Sequence, residues 1–370
     1  MKTLQPEALY TSEEVSAYLH VSLRTVQRLL QAGTLKSYRV HGQYRIKGLD
    51  LLGYLDGVRS DPERPEAEDQ RPARLLEQLE LHPISLQLAP DLVPLVDPAQ
   101  NASFLPDLDE LRQHISQELG FIMPGVRLCD DTGLAPGHYR ICIYNQAVGQ
   151  GQLDPATGPL EQLPQLLHQL GQVARQFAHE ILTREEVAVM VEYLRRKYTV
   201  VLEEVLSLDG RAPGKLTIGQ LTRILRGLLS EQVSIRNLPL ILEILADQLE
   251  AGTGPDQLLE KVRQGLARQL CAPLADAQGI IGVIGLEPAS EEALRQALLR
   301  QDESLMPLSL GLQQQLAVQP QGCHVLLCAA DLRANLRALL RRNFSHWQLL
   351  SYQEIESSYK LALKGSIALQ

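Results

Sequence analysis

Tyr10-Thr-Ser-Glu-Glu-Val-Ser-Ala-Tyr-Leu19, then His20-Val21, then Ser22-Leu-Arg-Thr-Val-Gln-Arg-Leu-Leu30 is the stretch whose reading decides the fold of the first ~55 residues. Thr11 stands three residues before Glu14, a capping-box spacing that opens a helix over 11–18, with Val15, Tyr18 and Leu19 apolar. Ser22 is the natural N-cap of a second helix, Leu23 to Gln31, whose buried stripe is Val26, Leu29 and Leu30 and whose stop is Gly33. Helix, short turn, helix is the geometry that sets the N-terminal residues of the second helix into a major groove. Ser22, Arg24, Thr25 and Arg28 are then the candidate contacts: two guanidinium groups and two hydroxyls able to meet base edges and phosphates.

The segment that follows, Lys36 to Val40 and Tyr44 to Ile46, alternates like a β-hairpin. Sorting its apolar residues onto one face pairs Val40 with Tyr44 and Tyr38 with Ile46. That sorting leaves a three-residue loop, His41-Gly42-Gln43, and sets Arg39 opposite Arg45. Two like charges face to face are unfavourable unless an anion lies between them, so Arg39 and Arg45 join the candidate DNA contacts. A closing helix is expected over Leu49 to Leu55. These residues together resemble the excisionase/MerR-like winged helix-turn-helix family, and the resemblance implies double-stranded DNA as a partner.

Charge agrees with a division of labour. The 370-residue chain has a formal net charge of −9, yet residues 1–60 carry eight basic against five acidic side chains. A basic head on an acidic body is expected where one module alone meets DNA. Apolar residues at 45% and charged residues at 21% exclude a disordered chain. Five scattered cysteines without a CxxC pair point to a reducing, cytoplasmic setting and to no metal or other cofactor. Met1-Lys-Thr-Leu-Gln-Pro-Glu lacks the apolar run of a signal peptide, and no span of ~18 apolar residues predicts membrane insertion.

The chain is expected to be multidomain, mainly α with α+β units. The head covers 1–56 and a charged, proline-interrupted linker 57–78. An α+β sandwich covers 79–158, a helical part 159–272 and a C-terminal α/β part 273–370. Its helical part includes an amphipathic helix over Leu163–Leu182 and a helix opened by Pro255. Arg333, Arg337, Arg341 and Arg342 read as the solvated face of a C-terminal helix. Gly210-Arg-Ala-Pro-Gly-Lys-Leu-Thr217 fails as a phosphate loop, because its first gap is one residue short and Leu216 replaces the metal-side hydroxyl. His179-Glu180 has no second histidine at i+4, and the adjacent Cys323 and His324 would point to opposite faces of a strand, so no enzyme is expected.

Three passages carry a second resemblance. They are Leu86-Gln-Leu-Ala-Pro-Asp-Leu-Val-Pro-Leu-Val-Asp97 with 111–127 and Tyr139-Arg-Ile141; His179 to Val187 with Leu229 to Leu238; and Val325-Leu-Leu-Cys-Ala-Ala-Asp-Leu-Arg333 with Leu349 to Ile355. They resemble, in order, the cytoplasmic domain of the FHIPEP family of flagellar and type III secretion export gates. The resemblance implies self-association and protein partners through residues 80–370. Family members carry a multi-span membrane domain before this region, where this sequence has the winged head. They also carry an inserted, chaperone-docking subdomain where this sequence has about two dozen residues between Leu153 and Phe177. The reading of the whole is a sequence-specific DNA-binding regulator whose export-gate-like body oligomerises or senses a partner. The alternative is an interaction platform related to protein export, with the head used for protein contact.

Overall fold

A computed structural model describes residues 8–19, 21–31, 35–40, 43–59, 81–97, 103–153, 159–207, 215–300, 305–319, 324–344 and 346–369. Gly33, the His41-Gly42 loop, most of the expected 57–78 linker and residues 210–214 lie outside them. The chain divides into two compact units, 1–80 and 81–370.

In the first unit, the Thr11 amide donates to the Glu14 carboxylate at 2.8 Å and Thr11 Oγ1 accepts from the Glu14 amide at 3.2 Å. This capping box starts helix Ser12–Leu19. Ser16 Oγ donates to the Val21 carbonyl at 2.7 Å, fixing the turn into helix Leu23–Gln31. Val15, Val26, Leu30, Leu35, Ile46 and Leu51 form the core, closed by helix Gly48–Arg59. The sheet holds β1 (Leu9–Thr11), β2 (Tyr38–Val40) and β3 (Gln43–Lys47) in the order β1-β3-β2, all antiparallel.

The hairpin register differs by one residue from the sequence expectation. Tyr38 pairs with Arg45, Arg39 with Tyr44 and Val40 with Gln43, so Arg39 and Arg45 do not oppose each other. The reason is that Tyr38 need not join the core. It is half exposed, and Lys47 Nζ lies 5.6 Å from its ring centroid. Ile46 and Tyr44 face the core with Tyr10 from β1, a strand the sequence reading did not contain.

The second unit begins with a four-stranded sheet: β4 (Ile84–Leu88), β5 (Val126–Asp130), β6 (His138–Ile143) and β7 (Gln146–Gln152), ordered β5-β4-β6-β7. β4 and β5 run parallel, joined through helix Phe104–Leu119; the remaining pairs are antiparallel. The β6–β7 turn is a two-residue one with both Tyr144 and Asn145 at positive φ, which matches strand twist.

Helices dominate from Pro159–Gln176 to Ala267–Cys271. The single helix expected over Leu163–Leu182 is broken at Phe177. Capping boxes Thr183/Glu186 and Thr217/Gln220 open helices Arg184–Arg195 and Ile218–Ser230. Helix Leu258–Gly265 begins three residues beyond Pro255, which was expected to open it.

The final part is a parallel sheet ordered β10-β9-β8-β11: β8 (Ile280–Leu286), β9 (Val325–Cys328), β10 (Gln348–Ser351) and β11 (Lys360–Ile367). Helices Pro288–Arg300, Leu305–Ala317 and Ala330–Leu340 connect and cover it, as parallel strands require. β11 and helix Leu305–Ala317 are absent from the sequence reading. Among the described residues no helix is long and apolar enough to cross a membrane.

Candidate functional site

The start of helix Leu23–Gln31 is built by local hydrogen bonds. Ser22 Oγ accepts from the Thr25 amide at 3.2 Å and lies 2.8 Å from Thr25 Oγ1. Ser22 is thus an N-cap, and Thr25 is half-buried and tied to it. Arg24 and Arg28, four apart and on one face, are exposed beside exposed Gln27. Arg45 is half-buried, with Nη1 3.3 Å from the Tyr44 carbonyl. The Arg39 side chain lies outside the described residues. The structure therefore gathers Ser22, Arg24, Thr25 and Arg28 at one helix end. It does not form the Arg39–Arg45 pair across the wing.

The second unit holds a group of buried ionic side chains that includes Arg333 and Arg337, two residues expected in solvent. Arg333 is 1% exposed and Arg263 2%. Arg333 Nη1 and Nη2 donate to the two Glu231 oxygens at 2.7 and 3.2 Å, and its Nε donates to Glu260 at 2.6 Å. Arg263 Nε donates to Glu354 at 2.6 Å, and its Nη1 lies 3.3 Å from Glu231. The second Glu354 oxygen accepts from the Ser351 amide at 2.6 Å. Arg337, 9% exposed, donates through Nη1 to the Trp347 carbonyl at 2.9 Å, with Nε 4.0 Å from Glu231. Three guanidinium groups and three carboxylates compensate one another where helices Ile218–Ser230 and Leu258–Gly265 meet helix Ala330–Leu340 and β10.

This corrects the expectation of a solvated arginine face for Arg333 and Arg337. Leu332, Leu336 and Leu340 bury one stripe of their helix, and Arg333 and Arg337 sit on the flank of that stripe, not opposite it. The i, i+4 arginines bordering an apolar stripe were the available signal. Their carboxylate partners, 73 and 102 residues away, were not visible locally.

Burial alone would raise the pKa of Glu231, but the Arg263 and Arg333 charges outweigh it and hold the carboxyl below its ordinary value. A carboxylate depressed in the folded state contributes stability above its unfolded pKa and loses it as pH falls through the folded one. Urea unfolding at a series of pH values is therefore expected to show wild-type stability falling below about pH 4. Glu231→Gln should be less stable near neutrality but have a flatter acid limb.

The profile of the FHIPEP family matches residues 55–162 and 158–360. The two pieces meet where the missing insert was expected. A helix-turn-helix domain profile matches residues 9–59. The flagellar biosynthesis protein FlhA of Bacillus subtilis is 26% identical over 355 residues, covering 81% of this chain and 51% of that protein. The chain thus spans about half the length of the curated relatives it matches. The solved Chlamydia pneumoniae CdsV and CdsO protein complex has a chain similar to 78% of this one, with 98% of it covered, at 24% identity and a TM-score of 0.67. The nonameric EPEC SctV-C has a TM-score of 0.62 at 18% identity, with 78% of this chain and 98% of that one covered. Both likenesses are of fold. With the family profile matching most of its length, in the order of the passages that resembled it, the chain belongs to the FHIPEP family.

Proposed function

We propose that this protein is an interaction platform of the protein-export kind. Its body, residues 81–370, self-associates and holds secretion-type protein partners, and its head is a recognition module joined to that body. The observation that carries the reading is the match of the FHIPEP profile from residue 55 to 360, supported by a fold that covers 98% of a chain in the solved CdsV and CdsO complex. The same fold occurs in a nonameric assembly, which supports oligomerisation here. Putting the platform first reverses the preference of the sequence reading, in which DNA-binding regulation came first.

The test takes the full chain and the source organism's own counterpart of CdsO. Sedimentation should show a concentration-dependent assembly larger than one chain. Calorimetry should show partner binding that is unchanged by Arg24→Ala plus Arg28→Ala. A protein that stays monomeric and binds no such partner overturns the reading.

A second reading keeps the head on double-stranded DNA, because Arg24 and Arg28 are exposed and together on the helix that Ser22 caps, within the segment matched by the helix-turn-helix profile. Arg24 and Arg28 would read the major groove, Thr25 and the Ser22-capped helix end a phosphate, and Arg45 with Arg39 the backbone beside the wing. One such head buries little surface, so useful affinity needs several heads on one assembly. Fluorescence anisotropy against upstream and random DNA at two salt concentrations decides it. Sequence preference that survives higher salt and falls at least about tenfold in Arg24→Ala plus Arg28→Ala supports the reading. Equal, salt-erased binding to both DNAs sinks it.

A further inference from the structure

Between the break at Phe177 and the end of helix Ala330–Leu340 lies a cleft of about 470 Å³. Its walls include His179, Ser230, Gln232, Arg337, Arg341 and Arg342. Arg341 Nη2 donates to His179 Nε2 at 2.7 Å. Burial, then the Arg341 charge, holds the His179 pKa below its ordinary value, so the ring stays neutral and accepts that bond. Arg337 is nine-tenths buried in the wall, and its Nε has no hydrogen-bond partner.

The charge of this cleft is unbalanced. Glu231, the carboxylate nearest Arg337, is already bonded by Arg333 and paired with Arg263. Neither Arg341 nor Arg342 has a carboxylate partner among the described residues, and the lining holds one acid, Glu180, which lies 3.6 Å from His179. Arg341 and Arg342 therefore bring uncompensated positive charge to a space that Arg337 borders with an unbonded Nε. Elsewhere on the same helix the opposite economy holds, since Arg333 is fully paired. Guanidinium groups offer forked donors that match planar carboxylates and tetrahedral phosphates, and a partly enclosed site strengthens those bonds over bulk water. Ser230 and Gln232 add neutral polar groups on the facing wall.

We propose that this cleft is an oxyanion-binding site, held by Arg337, Arg341 and Arg342, that takes the phosphate or carboxylate group of an acidic ligand. The assignment goes beyond the platform reading and does not depend on it, because it concerns one pocket of a single chain.

Calorimetry on the full chain tests it, with inorganic phosphate and a hexaglutamate peptide titrated separately at low and moderate salt. Saturable binding of at least one is expected, weakened at least about tenfold by Arg341→Glu plus Arg342→Glu, two exposed positions whose change should leave the melting temperature intact. Arg341→Gln plus Arg342→Gln should weaken it less. The single tryptophan, Trp347, whose carbonyl accepts from Arg337, gives an independent fluorescence readout. Phosphate binding alone identifies a small-anion site; peptide binding alone identifies an acidic polypeptide as the source. Binding of neither probe, or binding equal in wild type and the charge-reversed variant, overturns the proposal.

Discussion

Arg333→Ala is expected to destabilise the second unit by about 3–5 kcal/mol, the usual result of removing one partner from a buried ionic group. The loss is large because of what remains. Glu231 and Glu260 each surrender hydrogen bonds from Arg333, and Glu231 keeps only Arg263 at 3.3 Å and Arg337 at 4.0 Å. A buried carboxylate with weakened compensation must take up a proton or draw in water, and both cost free energy. Lysine should not rescue it. One ammonium cannot reproduce the bidentate bond to Glu231 while also reaching Glu260, so Arg333→Lys should recover less than half of the loss. Replacing Arg333 by Met with Glu231 and Glu260 by Gln should be milder than Arg333→Ala, because the cost lies in unpaired charge more than in lost attraction. Denaturant unfolding of the full chain, followed at Trp347, separates these cases. A loss under about 1 kcal/mol for Arg333→Ala would mean that the network is open to water and does not join the helical and α/β parts.

What could be read in the sequence follows the range of the interaction. Thr11 with Glu14, and Ser22 with Thr25, act over three residues, and helix starts at both places stand in the structure. The same holds for Ile280–Leu286, a continuous apolar run that is strand from end to end. The hairpin register failed at intermediate range. Sorting Tyr38 onto the apolar face treated an amphipathic ring as a core residue, although it rests against Lys47 at the surface. β11 escaped notice because Lys360 to Ile367 holds two lysines and a glycine, with a register shift between Leu363 and Gly365. Its strand character comes from pairing with β8, some eighty residues earlier. Arg333 escaped for the same reason, since its environment is made by segments 73 and 102 residues upstream. The placing of Ser22, Arg24, Thr25 and Arg28 at one helix end is local and was legible. The cleft and the ionic cluster are tertiary and were not.

Gly120→Ala is the other substitution expected to have a large effect, about 3–4 kcal/mol, and its cause is steric. Gly120 ends helix Phe104–Leu119 at φ +86°, and its amide donates to the Ser116 carbonyl at 2.9 Å. A left-handed residue here costs a side chain about 1 kcal/mol by itself. The remainder comes from crowding. A Cβ at this position would stand 2.1 Å from the Arg236 backbone nitrogen, 2.2 Å from its Cα and 2.7 Å from the Ile235 carbonyl carbon. None of these is a flexible side-chain end, so the 234–236 segment must withdraw from the helix. Withdrawal strains the Ile235 amide bond to the Leu119 carbonyl at 2.8 Å and the Ser234 hydroxyl bond to the Glu118 carbonyl at 2.6 Å. Each is worth about 1 kcal/mol, and both link the α+β part to the helical part. Gly252 supplies the control. It also has a positive φ, +74°, but nothing lies within 4 Å of its missing Cβ. Gly252→Ala should therefore show the conformational cost alone, about 1 kcal/mol. Matched denaturant curves on the two variants measure the difference. Equal losses would show that the approach at Arg236 is soft, and that the contact between these two parts yields without affecting the rest of the body.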